Sequence, residues 1–336
     1  MLDYNTVFQL MADKMERPEA LERAEHLLMI PDYLTYRLTG VMHQEYTNMT
    51  TGAFVSTESG EVDLELIERL GYPTRLFGRL SMPGEIVGGL LPEIRERIGY
   101  DVTVLHPASH DTGSAVIAVP TTSDRVAYIS SGTWSLFGTE LGEPILTEEA
   151  RRAGFTHEGG FDRRYRFLTN IMGLWIIQSI RRELDSKYSF AELSLMAESA
   201  GDNGIRINVN DKSLMAPESM ISALGALIGR DLPLGELLSV VYHSLADLYH
   251  ESVKRLEAIL GYSVEALYII GGGSQDGYLN RLTAGGLDIP VYSGPIEATA
   301  IGNIASQMIA SGEVENLTAA RELIARSFDV KLVKSE

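Results

Sequence analysis

The 336-residue sequence predicts an α/β protein, and three observations lead to that class. After Pro120, three strand-type runs are followed by helical and strand-type segments in alternation, which is typical of helices covering a sheet. The strand-type run 265–270 ends in Gly271, Gly272 and Gly273 and leads into a helical segment, forming a strand–turn–helix unit. The composition, 45% hydrophobic and 22% charged, is that of an ordinary globular protein. We therefore expect helices packed on a mixed sheet.

The first part of the chain predicts helices and loops with little sheet. Apolar residues recur at helical spacing through 6–15 and 18–38. Residues 40–62 are polar and rich in Thr, Ser and Gly, so they predict a loop with a short helix at most. Two short amphipathic helices, at 63–71 and 91–99, and a strand at 102–105 complete this part.

The segment 107–119 carries the first functional signal. Asp111 lies between His110 and Thr112, and the small, apolar run 113–119 predicts a buried helix that begins next to this carboxylate. An ionised Asp is favoured at a helix N-terminus, and its polar neighbours would hold it toward a ligand hydroxyl. A simple helix cap explains an isolated Asp at this position equally well.

A turn between two strand-type runs follows at once. Runs 126–130 and 134–137 flank Ser131, Gly132 and Thr133, so backbone N–H groups and two hydroxyls would lie at the tip of a hairpin. Such a turn suits an anionic group.

The remaining chain alternates helices and strands. Asn170 lies where it would cap a helix at 172–185, with Gln178 two turns further on, and small residues at the start of a helix at 298–311 predict close approach to a neighbouring element. The predicted strands are 165–168, 206–209, 265–270 and 290–292, and the other predicted helices are 189–200, 217–228, 233–260 and 276–287.

Composition and missing motifs exclude several classes of function. A net charge of −18 argues against a nucleic-acid partner, and the lack of cysteine excludes disulfides, thiolate catalysis and Cys-ligated zinc. Walker A, GxGxxG, HRD, DFG, HExxH and GxSxG sequences are missing. The single DTG at 111–113 would require a dimer to make an aspartic protease. No secretory signal or membrane span is recognisable, which permits a cytoplasmic location.

Five motifs in order, ASHDTGSAVIA, YISSGTWSLFG, NIMGLWIIQSIRRE, YIIGGGSQDGYLNRL and SGPIEATAIGNIASQM, resemble the FGGY family of carbohydrate kinases. The resemblance implies two actin-like, ribonuclease-H-like lobes with ligands in the cleft between them. Residues 1–119 would be the remainder of the N-terminal, sugar-binding lobe, and residues 120–336 the C-terminal, nucleotide-binding lobe. The first lobe would be incomplete, because family members open with a strand and a DxGxxxxR phosphate loop and this chain starts after them.

The resemblance also implies a reaction: ATP-dependent phosphorylation of a ketose, with L-rhamnulose phosphorylated at O1 as the first hypothesis. ATP would be the cosubstrate and Mg²⁺ would bridge its phosphates. The roles implied are Asp111 as the base for the sugar's primary hydroxyl, His110 and Thr112 as sugar contacts, Thr133 at the phosphates, Asn170 and Gln178 at the nucleotide, and Gly272 in the turn at the adenosine.

Two departures from the family pattern keep alternatives open. Asp276 replaces an Asn that related kinases usually have, which bears on adenine contacts, and a chain that lacks the first phosphate loop would be a fragment or a truncated product. The alternatives are a non-catalytic nucleotide- or sugar-binding module and a kinase for another ketose such as xylulose or fuculose. An edge left bare by missing strands would favour a homo-oligomer.

Overall fold

A computed structural model describes residues 5–335 and shows a mainly helical first part followed by a sheet-centred second part. The helices are α1 Thr6–Glu16, α2 Pro18–Arg23, α3 Ile30–Thr39, α4 Tyr46–Thr51, α5 Leu64–Leu70, α6 Pro92–Ile98, α7 Asp111–Ile117, α8 Glu148–Arg152, α9 Trp175–Glu183, α10 Phe190–Ala200, α11 Met220–Ile228, α12 Leu234–Leu260, α13 Gly277–Gly285, α14 Ala298–Ala310 and α15 Leu317–Ser327. The strands are β1 Gln44–Glu45, β2 Leu80–Ser81, β3 Ile86–Gly89, β4 Thr103–Leu105, β5 Val126–Ser131, β6 Ser135–Leu141, β7 Thr156–Gly159, β8 Tyr165–Ile171, β9 Ala266–Ile270, β10 Val291–Ser293 and β11 Lys331–Leu332.

One seven-stranded mixed sheet organises the second part, in the order β11-β10-β9-β5-β6-β8-β7. Strands β5, β9 and β10 run parallel to one another, while β5–β6–β8–β7 and the β10–β11 edge are antiparallel. The first part contributes two small sheets, β1–β2 and β3–β4. The expected mixed sheet covered by helices is therefore confirmed.

The alternation of side chains along β5 divides the core between the two faces of the sheet. Ala127 and Ile129 join a cluster with residues of α9, α10, α12 and α13, whereas Tyr128 joins a cluster with residues of α7, α14 and α15. Since successive strand residues point to opposite faces, the sheet is sandwiched between these two helix layers. Helix α12, 27 residues long and predicted from the sequence at 233–260, lies in the first layer.

Close approach between α7 and α14 depends on a glycine. A Cβ atom at Gly302 would lie 1.8 Å from the carbonyl oxygen of Ser114, so no larger residue fits without moving one helix. The small residues at the start of α14 serve the close packing that the sequence predicted.

Several sequence predictions differ from the structure. The helix expected at 18–38 is two helices, because Pro31 cannot lie in a helix interior and instead occupies the first turn of α3. Residues 206–209 form no strand, and the Ile207 N–H donates to the Ser244 hydroxyl instead of a neighbouring strand. Strands β1, β2, β3, β7 and β11 and helices α8 and α15 were not predicted.

None of the helices within residues 5–335 combines the length and the apolar character needed to cross a membrane.

Candidate active site

Asp111 is the first residue of α7, and its side chain is 78% exposed to a cleft. The backbone N–H of Thr112 donates to its Oδ1 atom at 2.6 Å, and the Thr112 hydroxyl lies 3.3 Å from the same oxygen. The carboxylate is therefore held through one oxygen and remains accessible to a ligand, as a general base requires.

His110, the residue before α7, lies between this carboxylate and a buried ion pair. Its Nε2 atom is 3.6 Å from Asp111 Oδ1, and its Nδ1 atom is 3.0 Å from Nη1 of Arg166 on β8. Glu158 on β7 pairs with Arg166 at 3.0 Å. Burial, reinforced by the Arg166 charge, lowers the pKa of His110, so its imidazole is neutral near pH 7.

The loop that leads into α7 is tied to α4 by the buried carboxylate of Glu45. This carboxylate accepts hydrogen bonds from the backbone N–H groups of Thr47 and Asn48, and also from the N–H and hydroxyl of Ser109. The Thr47 hydroxyl in turn accepts from the His110 N–H at 3.1 Å. One side chain thus caps α4 and fixes the residues immediately before Asp111.

The C-terminal end of α7 is held by Arg321 of α15. Its guanidinium, only 6% exposed, donates to the carbonyl oxygens of Val116 and Ile117 and pairs with Glu140. Because a cation is favoured at a helix C-terminus, this contact fixes α7 at the end opposite Asp111.

Two glycine-containing turns face the cleft from the ends of β5 and β9. A Cβ atom at Gly273 would lie 1.9 Å from Ser131 Oγ, so the turns pack directly against each other. The Thr133 hydroxyl donates to Oε1 of Gln178 at 3.2 Å, which ties the first turn to α9. The Gly132 N–H donates to the carbonyl of Trp134, so it closes the turn and is not free for an anion, unlike the open turn the sequence suggested.

The cleft contains two adjoining cavities. The first, about 610 Å³, includes six of the predicted site residues among its lining, namely His110, Asp111, Thr112, Thr133, Asn170 and Gly272. The second, about 770 Å³, is lined by Gln178 of α9, by apolar side chains of α9 and α10 that include Phe190 and Leu195, and by polar side chains that include Arg281 of α13. Gly132 and Gly272 border both cavities. The structure therefore brings all seven predicted residues to one continuous cleft.

Sequence comparison identifies the family. The family model for the "FGGY family of carbohydrate kinases, N-terminal domain" matches residues 1–118, and the model for the C-terminal domain matches residues 127–311. The chain belongs to the FGGY family of carbohydrate kinases.

Curated FGGY relatives include the rhamnulokinase of Oceanobacillus iheyensis, 42% identical over 332 residues, which covers 97% of this chain and 70% of the relative. The rhamnulokinase of Bacillus subtilis is 40% identical over 337 residues, covering 98% of this chain and 68% of the relative.

Solved kinase structures have the same fold. The xylulose kinase of Lactobacillus acidophilus superimposes with a TM-score of 0.78 at 16% identity, covering 99% of this chain and 68% of that structure. The glycerol kinase of Plasmodium falciparum gives 0.73 at 14% identity, covering 97% and 67%. The predicted actin-like sugar-kinase fold is confirmed.

Asn170 occupies a different position from the one predicted. It lies in β8, where it pairs with Leu136 of β6, and α9 begins only at Trp175. Gly173, at φ +55°, makes the turn between strand and helix, which the sequence pattern did not reveal. Asn170 consequently lines the first cavity from the sheet and does not cap α9.

Asp276 caps α13. Its carboxylate accepts from the Leu279 N–H, from the Ser194 hydroxyl and from the Tyr242 hydroxyl at 2.7 Å. These three hydrogen bonds satisfy the carboxylate, which explains why an Asp is accommodated at this position of an FGGY kinase.

Sequence reasoning missed the residues that support the site. Glu158 and Arg166 are single charged residues in short strands, a pattern that usually marks a solvent-facing strand, and only the fold shows that Arg166 is fully buried. Phe190 and Leu195, which line the second cavity, are 49% and 61% exposed. The sequence could have indicated Phe190 and Leu195, because apolar side chains on the exposed face of an amphipathic helix often mark a binding surface.

The described residues offer no cluster of three or more His, Asp or Glu side chains that would hold a metal ion. Mg²⁺ commonly keeps several waters and binds largely through substrate phosphates, so an open cavity without such a cluster among the described residues fits an ion that arrives with a nucleotide.

Proposed function

We propose that this chain phosphorylates a ketose with ATP, converting L-rhamnulose to L-rhamnulose 1-phosphate. The supporting observation is the exposed Asp111 carboxylate in a cavity that adjoins, at Gly132 and Gly272, a second cavity lined by both apolar and polar side chains. The relatives' names support the choice of sugar, since curated proteins at 37–42% identity are rhamnulokinases.

In the proposed reaction, Asp111 accepts the proton of the sugar's primary hydroxyl as that oxygen attacks the γ-phosphorus of ATP. The new O–P bond forms while the bond from the γ-phosphorus to the bridging oxygen breaks, and ADP leaves. His110 and Thr112, which flank the base, contact the sugar. Phosphoryl transfer passes through a loose transition state, so these groups act mainly by positioning the reactants.

The nucleotide would lie across the glycine turns. Thr133 contacts the phosphates, Gly272 lets the adenosine approach the backbone, and Asn170 and Gln178 contact the nucleotide from the sheet and from α9. The apolar side chains in the second cavity, among them Phe190 and Leu195, suit the faces of a purine base, because nucleotide-sized ligand sites combine apolar walls with a few polar groups. Mg²⁺ that arrives with the nucleotide would offset the charge of the phosphates.

The deciding experiment combines turnover with binding. A coupled assay of ADP release with L-rhamnulose, xylulose and fuculose measures the reaction, and calorimetric titration of ADP measures binding. We expect turnover dependent on L-rhamnulose and saturable ADP binding. ADP binding without sugar-dependent turnover would instead indicate a non-catalytic binding module, and faster turnover of another ketose would correct the substrate.

A further inference from the structure

We propose that Arg166 is a positioning residue that holds neutral His110 in the form with its proton on Nε2, facing Asp111. This inference deepens the proposed function and rests on the base role assigned there to Asp111.

The geometry at Nδ1 of His110 fixes which ring nitrogen carries the proton. Nη1 of Arg166 lies 3.0 Å from His110 Nδ1, and Nε of Arg166 donates to the Gly159 carbonyl at 2.9 Å. A guanidinium has only donors and stays protonated in proteins, so Nδ1 must accept. In a neutral imidazole the proton is then on Nε2.

The protonated nitrogen faces the base. Nε2 of His110 lies 3.6 Å from Asp111 Oδ1, which is longer than a hydrogen bond. A proton on Nε2 is therefore placed next to the carboxylate, and the two groups can close to hydrogen-bond distance when substrate binds. The opposite tautomer would set the Nε2 lone pair against the carboxylate oxygen and would leave two donors facing each other at Nδ1. Arg166 therefore selects the tautomer that favours an ionised Asp111.

The charges around His110 come from three elements. Arg166 projects from β8, and Asp111 is the first residue of α7. Glu158 projects from β7, and its Oε2 atom lies 3.5 Å from Nδ1 of His110. From α4, the uncharged Thr47 hydroxyl contacts the His110 backbone N–H. Arg166 and burial oppose protonation of the ring, and Glu158 and Asp111 favour it. Removing Arg166 should therefore raise the pKa of His110, and removing Glu158 should lower it.

A purely structural role for Arg166 is the competing explanation, since the residue is 0% exposed and neutralises Glu158. Removing Arg166 alone would also strand a buried carboxylate. The test variant is therefore the double change Arg166→Met/Glu158→Gln, which removes both charges, and Glu158→Gln alone is the companion. Arg164→Gln is the matched control, because Arg164 immediately precedes β8 but pairs with Asp124 and Glu140.

The readout is the ¹⁵N NMR spectrum of the histidine side chains from pH 5 to 9, without substrate, with His110 assigned by its loss in His110→Gln. We expect the Nε2–H form in the wild type, in Arg164→Gln and in Glu158→Gln, whose His110 should titrate at lower pH than in the wild type. In the double variant both tautomers should be populated, and His110 should titrate at higher pH.

Two results would overturn the inference: a proton on Nδ1 in the wild type, or an unchanged tautomer in the double variant. If the double variant does not fold, the pKa of His110 in Glu158→Gln tests the inference instead. A pKa that is unchanged or higher than in the wild type would contradict the proposed balance of charges. These spectra need no turnover, so they fail or succeed independently of the kinase assay.

The kinetic counterpart is measured separately. In the double variant we expect the acid limb of the pH profile of kcat/KM to move to higher pH, with about tenfold lower kcat/KM at pH 6.5. Altered spectra with an unchanged pH profile of kcat/KM would show that the protonation of His110 does not affect the reaction. That result would count against the proposed role of Asp111.

Discussion

Asp111 combines high exposure with a direction set by a hydrogen bond from the Thr112 N–H. Thr112 and His110 contact one of its oxygens, and the rest of the side chain faces the cleft. A sequence reading locates this residue well, because a polar triplet before a small-residue helix is a local pattern. Arg166, which contacts the neighbouring His110, is 56 positions away from that histidine in the sequence, and the contact becomes visible only when β8 is placed beside the loop.

Replacing Asp111 by Asn tests the base directly. The amide keeps the size of the side chain but cannot take a proton, so we expect kcat to fall about 10²-fold or more. Steady-state kinetics should show this loss, while ADP binding by calorimetry stays within about twofold because the contacts to the nucleotide are unchanged. Near-normal turnover would remove Asp111 from the role.

Gly272 and Gly273 form a matched pair for testing the nucleotide turn. A Cβ atom at Gly272 would meet no atom within 4 Å, whereas one at Gly273 would collide with Ser131. We expect Gly272→Ala to keep its thermal unfolding temperature within about 2 °C while weakening ADP binding about tenfold, because the methyl group occupies space between the two cavities.

Gly273→Ala should instead lower the unfolding temperature, since one of the two turns must move. Undiminished ADP affinity in Gly272→Ala would place the nucleotide elsewhere.

Helix α7 is the element on which the site is built, and it is fastened at both ends by residues from distant segments. Glu45 fixes the preceding loop and Arg321 fixes the final turn. The sequence predicted this helix and the strand–turn–helix unit at Gly271 because their patterns are local. The break at Pro31, the strand position of Asn170 and the loop at 206–209 depend on packing partners that a local pattern does not contain.

The Glu45 contact is testable by a conservative change. In Glu45→Gln an amide group replaces one oxygen and opposes the N–H donors that the carboxylate now satisfies, so the loop before Asp111 should loosen. We expect a loss of about 1–3 kcal/mol in the free energy of unfolding, from urea titration, and about tenfold in kcat.

Asp63→Asn is the control, because Asp63 caps α5 through the Leu66 N–H and lies outside the residues that line the cleft. Its kcat should be unchanged. Equal kinetic effects in the two variants would show that Glu45 acts only through general stability.

At the scale of the whole molecule, buried histidines make stability depend on pH. Burial lowers the pKa of His157 to about 4, and the ring accepts a hydrogen bond from the Ile145 N–H at 2.9 Å. A histidine whose pKa is depressed on folding stabilises the protein fully above its unfolded pKa, near 6.5, and this contribution is lost as the pH falls toward 4. His106 behaves in the same way, whereas burial raises the pKa of Asp32 to about 7 and opposes the trend.

His157→Gln isolates one of these contributions, since the amide oxygen can still accept from Ile145 but does not titrate. Between pH 6.5 and 4.5 the wild type should lose up to about 2 kcal/mol more stability than the variant, measured by urea unfolding at each pH. Parallel stability curves for the two proteins would show that His157 is protonated as easily in the folded as in the unfolded chain.

The shared border of the two cavities has a further consequence. Gly132 and Gly272, the two residues that both cavities share, carry no side chains, so a ligand that spans the cavities contacts the main chain at these two positions. On the proposed assignment, preference among purine and pyrimidine donors is set separately, by Phe190, Leu195 and their neighbours. Exchanging those side chains is a route to a catalyst that accepts GTP or a pyrimidine triphosphate while its choice of sugar stays intact.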